Sequence, residues 1–310
     1  MNDTTESNTP PSTTSRRNRD DPFQFGQRYL TEEDDVWQHN AWDHVEWGEE
    51  QKLEAERQLA EQKQTPVSDF DKNLYNSNPA KYWDQFYRNN REKFFKDRKW
   101  LRIEFPLIFE LTEENAGPST VVEVGCGAGN TMYPVLEVNK NPLLNVVGVD
   151  YSSKAVDLVK QHPLYSLPQA HAAVWDLANP NGDLPEGVAE HSADVVVLIF
   201  VLSALSPEQW KYAVANIKKI AKPGAKVLLR DYGRYDLTQI RFKKERLLDE
   251  NFYIRGDGTR VYFFTEEELQ DIFSDFDDVK IATDRRLIVN RQRRLKMYRV
   301  WLQGTFTVPQ

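Results

Sequence analysis
An acid, three glycines at alternate positions and a second acid carry the plainest chemistry in the chain. They read Glu123-x-Gly125-x-Gly127-x-Gly129, with Asp150 twenty-one residues beyond the last glycine. Glycine has no Cβ, so such a loop turns sharply and lets the backbone approach a ligand. A carboxylate at the end of a strand can accept hydrogen bonds from both hydroxyls of a ribose. The flanking segments supply the elements that must hold these groups. A β-branched run (Thr120 to Val122, then Val124) leads into the glycines, and an apolar run (Val146 to Val149) ends at Asp150. Strand, glycine loop, helix and strand form the first half of a nucleotide-binding α/β unit. A glycine turn without a ligand would show the same loop but would not need Asp150.

The spacing is not the GxGxxG of dinucleotide enzymes. It resembles the first motif of the S-adenosylmethionine-dependent methyltransferases, whose cofactor, S-adenosyl-L-methionine, has no pyrophosphate to cradle; another nucleotide cofactor is the competing reading. The elements that follow suit a Rossmann-like class I α/β fold. Ser152–His162 reads as a capped helix and Ala170–Trp175 as the third strand, ending at Asp176. Asp194–Leu202 reads as a central strand apolar on both faces. Ser206-Pro207 and Thr265 open further helices. The pair at about 278–284 and 296–307 is expected to complete a seven-stranded, mostly parallel sheet with one antiparallel strand.

The 310 residues divide into a tail at 1–22, an extension at 23–110 and a catalytic domain at 111–310 with an insertion at about 233–264. The tail is rich in Ser, Thr, Pro and Asn and is expected to be disordered. The net charge of −8 is uneven. Residues 1–70 hold 16 acids and 7 bases, whereas residues 71–310 hold 32 and 33. The mean hydropathy is −0.67 and no segment has the apolar length of a membrane span. With a single cysteine, Cys126, five scattered histidines and no signal-peptide core, the chain reads as cytoplasmic and free of structural metal.

Several polar-aromatic stretches admit two readings each. Trp37, Trp42 and Trp47 either anchor the extension or stack bases. Residues 49–64 read as a solvated helix with Leu53 and Leu59 as modest contacts, and Asn78-Pro79 opens a helix with Trp83 and Tyr87 on one face. Ile103 to Leu111 reads as one buried helix. Lys93, Lys96, Arg98, Lys99 and Arg102 alternate with Phe94, Phe95 and Trp100, a mixture suited to RNA phosphates and bases as well as to a solvated face. In the insertion, a basic helix (Arg241, Lys243, Lys244, Arg246) precedes a hairpin, Arg255-Gly256-Asp257-Gly258-Thr259-Arg260, a substrate lid or a plain surface turn. A last basic run spans Arg285 to Arg299.

The methyl acceptor can be narrowed by side-chain chemistry. Methylating carbon 5 of a pyrimidine needs a cysteine nucleophile, and Cys126 is committed to the glycine loop. Methylating an exocyclic amine commonly uses an Asn/Asp-Pro-Pro-aromatic motif after the fourth strand, where this chain has Phe200 to Leu205 with no proline or amide. A ring nitrogen such as N3 of cytosine has its own lone pair and needs neither device. Protein or small-molecule methylation, and a silent RNA-binding protein, stay open on these grounds.

FGQRYL, HNAWDHVEW, FFKDRKWL, VVEVGCGAGN, VGVDYS, LIFVLSA, RDYGRYD and RGDGTRVYFFT occur in this order. The pattern strongly resembles the tRNA (cytosine-N3) methyltransferases of the methyltransferase-like family, from Phe23 to Phe306. The resemblance implies 3-methylcytidine formation at position 32 of the anticodon loop. The amino-terminal motifs resemble the branch that serves threonine tRNAs, with an aminoacyl-tRNA synthetase as a conceivable helper. It also implies roles. Trp83, Tyr87, Gly125, Gly127, Asp150, Tyr151, Asp176, Leu177 and Ile199 would bind the cofactor. Phe94, Phe95, Lys96, Arg98, Arg255 and Arg260 would bind RNA. Asp231 and Arg98 would serve catalysis. On that division Arg98→Ala should spare cofactor binding and abolish methylation.

Overall fold
The computed structural model describes residues 28–91, 98 and 100–310. The tail and the aromatic-basic residues Phe94, Phe95 and Lys96 lie outside the described residues. In chain order the extension gives β1 (Ala41–Asp43), α1 (Glu49–Lys63), α2 (Asp69–Ser77), α3 (Pro79–Asn90), α4 (Leu101–Glu104) and α5 (Pro106–Glu110). The parallel half follows as β2 (Ser119–Val124), α6 (Met132–Glu137), β3 (Leu144–Asp150), α7 (Ser153–Gln161), β4 (Ala170–Val174), β5 (Ala193–Ile199), α8 (Pro207–Ile220) and β6 (Ala221–Tyr232). The insertion contributes α9 (Leu237–Ile240), β7 (Leu247–Asp249), β8 (Phe252–Ile254) and β9 (Arg260–Tyr262). Then α10 (Glu266–Ile272), β10 (Asp277–Asn290) and β11 (Leu295–Thr307) complete the fold.

The main sheet has the order β1-β10-β11-β6-β5-β2-β3-β4. From β4 to β6 all pairings are parallel, and β11 runs against both β6 and β10. The expected seven-stranded sheet is therefore present, and β1 adds a short eighth strand against Arg286–Ile288. Val122, Val147, Val196 and Val197 are fully buried, as a parallel sheet covered on both faces requires. The helix starts follow local chemistry. Asn78 Oδ1 accepts from Lys81 N (3.2 Å), with Pro79 in the first turn. Ser152 caps α7, and Ser206/Gln209 and Thr265/Glu268 form reciprocal capping boxes.

Three expectations need revision, and for Trp42 one of two open readings is decided. The segment from Ile103 to Leu111 is two short helices parted at Phe105, because Pro106 cannot continue the first. The basic run at 241–246 is not helical: α9 ends at Ile240, Phe242 stacks on Tyr253 (4.7 Å between rings), and Glu245 N donates to Thr65 O. Leu53 is 64% exposed and makes no core contact, whereas Leu59 and Ala55 are buried. Trp42 is buried against Leu287 and Val289, which makes it an anchor and not a platform for bases.

The β10–β11 pair is longer than the sheet that carries it. Tyr232, at the end of β6, lies opposite Trp301, which lies opposite Asp284. Pairing continues to Asn290↔Leu295, so the arm extends about 20 Å past the carboxyl end of β6. A buried charge network roots it. Arg230 binds Glu104 and Asp284 (2.7 Å to the latter) and lies between the rings of Trp100 and Trp301, with guanidinium-to-centroid distances of 5.1 and 5.0 Å. Arg286 bridges Glu104, Asp284 and Asp43. Gln62 of α1 bonds the Gln239 carbonyl (2.9 Å) and the Tyr253 hydroxyl (2.9 Å), tying extension to insertion. Among the described residues no helix is long and apolar enough to cross a membrane.

Candidate active site
At the carboxyl ends of β2, β3, β4 and β5 lies an open cavity of about 690 Å³, counted to its mouth. Gly125 and Gly127 both have positive φ, +63° and +56°. A Cβ on Gly125 would stand 2.4 Å from Val201 Cγ2, and one on Gly127 would stand 2.7 Å from Tyr87 Oη. Only glycine fits either place. Asp150 sits beneath the loop, 8% exposed, accepting from Gly127 N (2.9 Å) and Ser152 N (2.8 Å). Burial raises its carboxyl pKa to about 6, against the opposing pull of those backbone donors. Each carboxylate oxygen keeps a lone pair for a ligand.

Trp83 and Tyr87 of α3 form the roof, stacked with ring centroids 6.2 Å apart, and both line the cavity. Asp84 fixes this helix in place: its Oδ1 accepts from Ser152 Oγ (2.6 Å) and Lys154 N (3.3 Å) at the start of α7. Its partner Ser152 is 68 residues away, so no local sequence signal marks Asp84. Tyr151, Asp176 and Leu177 line the wall beyond Asp150. Gly127 supports Asp150 without lining the cavity.

Some expected site residues lie elsewhere. Ile199 is 2% exposed within the sheet core and does not line the cavity; Phe200 and Val201 do. The chain leaves the strand with Phe200 at φ +59°, a left-handed conformation that costs energy for an aromatic residue. That twist turns the Phe200 ring to the mouth, 4.8 Å from the Tyr232 ring. Asp231 is fully buried and does not reach the cavity; its oxygens accept from Ser203 N (2.9 Å) and Tyr232 N (2.8 Å), and burial raises its pKa to about 6. Arg255 lies over the Tyr232 ring at 5.5 Å.

Arg98 is not presented to solvent. Its guanidinium donates to Glu123 Oε1 (3.1 Å) and Thr131 Oγ1, and its backbone N donates to Asn130 O (3.2 Å). Glu123 is 1% exposed and also accepts from Met132 N (2.9 Å). Burial raises its pKa to about 7, with Arg98 the chief opposing influence. Arg98 thus braces the glycine loop from below. Arg260 also departs from an RNA-facing place: it is 4% exposed and lines the cofactor cavity. Cys126 is buried, and burial pushes its thiol well above the usual range, so it is no nucleophile. No group of three or more His, Cys, Asp or Glu among the described residues could hold a metal ion.

A glycine cradle, a ribose-competent acid and an acid just past the next strand suit a nucleoside. The roof is aromatic, and Arg260 is the one cationic side chain in the described wall. Among the described residues no lysine lines the cavity, as a pyrophosphate would want. Acids and aromatic faces without phosphate donors fit a nucleoside that carries a positive sulfonium. The fold and this site define an S-adenosylmethionine-dependent methyltransferase. The family model described as a methyltransferase domain matches residues 87–277. A methyltransferase from Anabaena variabilis, described as SAM-dependent, superposes with a TM-score of 0.51 at 13% identity, over 79% of this chain and 97% of its own. A Pyrococcus horikoshii protein does so with 0.51 at 14%, over 73% and 99%. These two speak to the fold.

Sequence relatives narrow the family. The tRNA(Thr) (cytosine(32)-N(3))-methyltransferase of Saccharomyces cerevisiae is 60% identical over 96% of this chain, which spans 48% of that relative, about half its length. The tRNA N(3)-methylcytidine methyltransferase trm140 of Schizosaccharomyces pombe is 53% identical over 91% of both chains. The tRNA N(3)-cytidine methyltransferase METTL2 of Danio rerio is 44% identical over 90% of this chain and 88% of its own. The chain belongs to the tRNA N(3)-cytidine methyltransferase family.

Proposed function
We propose that this chain methylates N3 of a cytidine at position 32 in the tRNA anticodon loop, forming 3-methylcytidine, with threonine tRNAs as substrate. The observation that carries the reading is the relationship, over 96% and 91% of this chain, to enzymes named for this reaction, on a chain whose cavity is lined by Gly125, Asp150 and Asp176. S-adenosylmethionine supplies an electrophilic methyl group. The residues of the chain have to hold the base and admit no water. N3 lies on the Watson–Crick edge, so a paired cytosine hides it, whereas a loop base can be splayed out and stacked. Phe200 lines the cavity, its ring is 4.8 Å from that of Tyr232, and Arg255 lies over the Tyr232 ring, a group of side chains on which a base could stack.

A neutral cytosine needs no general base for its N3 to attack; it needs alignment and a place for the positive charge that develops. Asp231 acts as a positioning residue. Its two backbone hydrogen bonds fix Ser203, next to the cavity-lining Ala204, and Tyr232, whose ring meets that of Phe200, and its carboxylate lies behind them as the cation forms. Arg285, Arg291, Arg293, Arg294 and Lys296 are exposed on the β10–β11 arm and enter no ion pair among the described residues. Arg294 and Lys296 lie over Trp37, at 4.5 and 6.0 Å from its ring centroid. This arm is suited to the phosphates of the anticodon stem.

The test is methyl transfer from labelled S-adenosylmethionine to unmodified threonine tRNA, followed by nucleoside analysis. Labelled 3-methylcytidine is expected, and a transcript with uridine at position 32 should take up none. Label in another nucleoside, or none with any tRNA even after addition of cell extract, would overturn the reading. A gain with extract would reveal a helper protein.

A further inference from the structure
The side-chain amide of Gln209 has one end occupied and one end free. Gln209 stands in the first turn of α8, where its Oε1 accepts from Ser206 N (3.0 Å) and Arg260 Nη2 (3.1 Å). Both partners can only donate, so they fix which end of the amide is oxygen and which is nitrogen. Arg260 is itself held by Asn76 Oδ1 (2.9 Å) and Ala204 O (3.2 Å). The Nε2 group makes no hydrogen bond among the described residues, and in this half-buried side chain it keeps accessible surface. Gln209 lines the cavity, and Nε2 is the polar group it has left to offer there.

The helix brings this amide to a definite end of the site. Asn216 lies about two turns further along α8 on the same face, and its Nδ2 donates to Leu177 O (2.8 Å) and Asn179 O (2.9 Å). That clamps α8 to the segment just past β4, where Asp176 also lines the cavity. The Tyr151 hydroxyl feels the charges of both Asp176 and Arg260, which puts the partner of Gln209 at the same end. With the glycine loop after β2 and the ribose acid on β3, the Asp176 end is where a nucleobase comes to lie.

We propose that Gln209 is a cofactor-binding residue whose Nε2–H donates to a ring nitrogen of the adenine. Asp176 is the acceptor suited to the exocyclic amine of the same base. Adenine presents one amine donor and several ring acceptors, so an acid alone cannot satisfy it; an acid and a fixed amide N–H can. Arg260 acts through Gln209 as the residue that orients it, so the donor is aimed before the ligand arrives. This assignment rests on the nucleoside cofactor and is independent of which RNA is methylated.

Gln209→Glu in the full chain separates the two ends of the side chain. It keeps the oxygen that Ser206 and Arg260 use and puts a second oxygen where the N–H was. The melting temperature should be no lower than that of wild type, while affinity for S-adenosylhomocysteine, read by calorimetry, should fall at least tenfold. Unchanged affinity would overturn the proposal. Wild type should bind one of the 1-deaza, 3-deaza and 7-deaza analogues about fivefold more weakly than the parent, the effect of losing one neutral hydrogen bond. Gln209→Glu should lose nothing further on that analogue. Equal affinity of wild type for all four ligands would overturn the proposal without any variant being needed. So would a Gln209→Glu penalty that multiplies unchanged with every analogue penalty, the mark of a purely structural role. Failure of wild type to bind the parent would overturn the cofactor assignment as well. Absent tRNA methylation with normal binding would count against the RNA reading only.

Discussion
Buried acids occur in both halves of the sheet, but they are satisfied in opposite ways. Around β6, β10 and β11, Glu104, Asp284 and Asp236 are met by the guanidinium groups of Arg230, Arg286 and Arg299. At the carboxyl ends of β3 and β6, Asp150 and Asp231 are met by backbone N–H groups and enter no ion pair among the described residues. A carboxylate already neutralised by arginine is scaffold, because its charge is spent within the fold. A carboxylate held by amides keeps its charge for what enters next. Glu123 belongs to the first kind although it stands in the second region, since Arg98 neutralises it. The partner, more than the burial, distinguishes structure from function here.

The sharpest way to break this contrast is Arg230→Ala, which leaves Glu104 and Asp284, at 4% and 0% exposure, with Arg286 as their remaining guanidinium partner. A loss of about 3–5 kcal/mol is expected, read as a fall in melting temperature on the order of 10 °C. A near-normal melting temperature would mean the network is not scaffold. Arg98→Ala should come next. It leaves Glu123 unpaired under the glycine loop, so both stability and cofactor affinity should fall, the latter at least tenfold by calorimetry. Unchanged affinity with lost methylation would restore the RNA-facing role implied by the family resemblance.

Asp231→Asn should do the reverse, sparing cofactor affinity and lowering kcat by roughly a hundredfold. Its pH behaviour has two signs. The carboxyl pKa rises from 3.8 to about 6 on folding, so its contribution to stability is complete below about pH 4 and is lost as pH rises through 6. Activity that needs the carboxylate should rise through the same range, and Asp231→Asn should flatten both slopes in a pH series. The smallest effect is expected from Arg293→Ala with Lys296→Ala. Cofactor affinity should not move, and the dependence of tRNA affinity on salt should weaken by roughly one unit of slope per cation removed. An unaltered slope would take the arm out of the RNA interface.

Local chemistry made much of this legible beforehand. Gly125, Gly127, Asp150 and Asp176 follow from a strand-loop-helix pattern written in consecutive residues, and so do the caps at Asn78, Ser152 and Thr265. What was hidden depends on partners far along the chain. Nothing near Arg98 announces Glu123, and nothing near Gln62 announces Tyr253, which lies 191 residues away. The place of Arg260 in the cavity depends on Asn76 and Gln209, 184 and 51 residues away, which nothing in its turn motif announces. Ile199, which the resemblance implies, is buried in the sheet, and past the positive φ of Phe200 it is Phe200 and Val201 that line the cavity. Trp83 and Tyr87 share a helix face in the sequence, but only the fold shows that Asp84 between them holds the helix down.

The three residues of β1 have a consequence for solubility. They pair with Arg286–Ile288 in the part of β10 that overhangs the sheet, and Asn40 O accepts from Val289 N at 2.8 Å. Without them that stretch would offer a row of unpaired amides and carbonyls flanked by Leu287 and Val289, an open template for the strand of another molecule. A truncated chain starting after residue 48 should therefore self-associate through the arm, visible as light scattering at concentrations where the full chain stays dispersed. The extension that roofs the cofactor would then also be the guard that keeps the arm from making fibres.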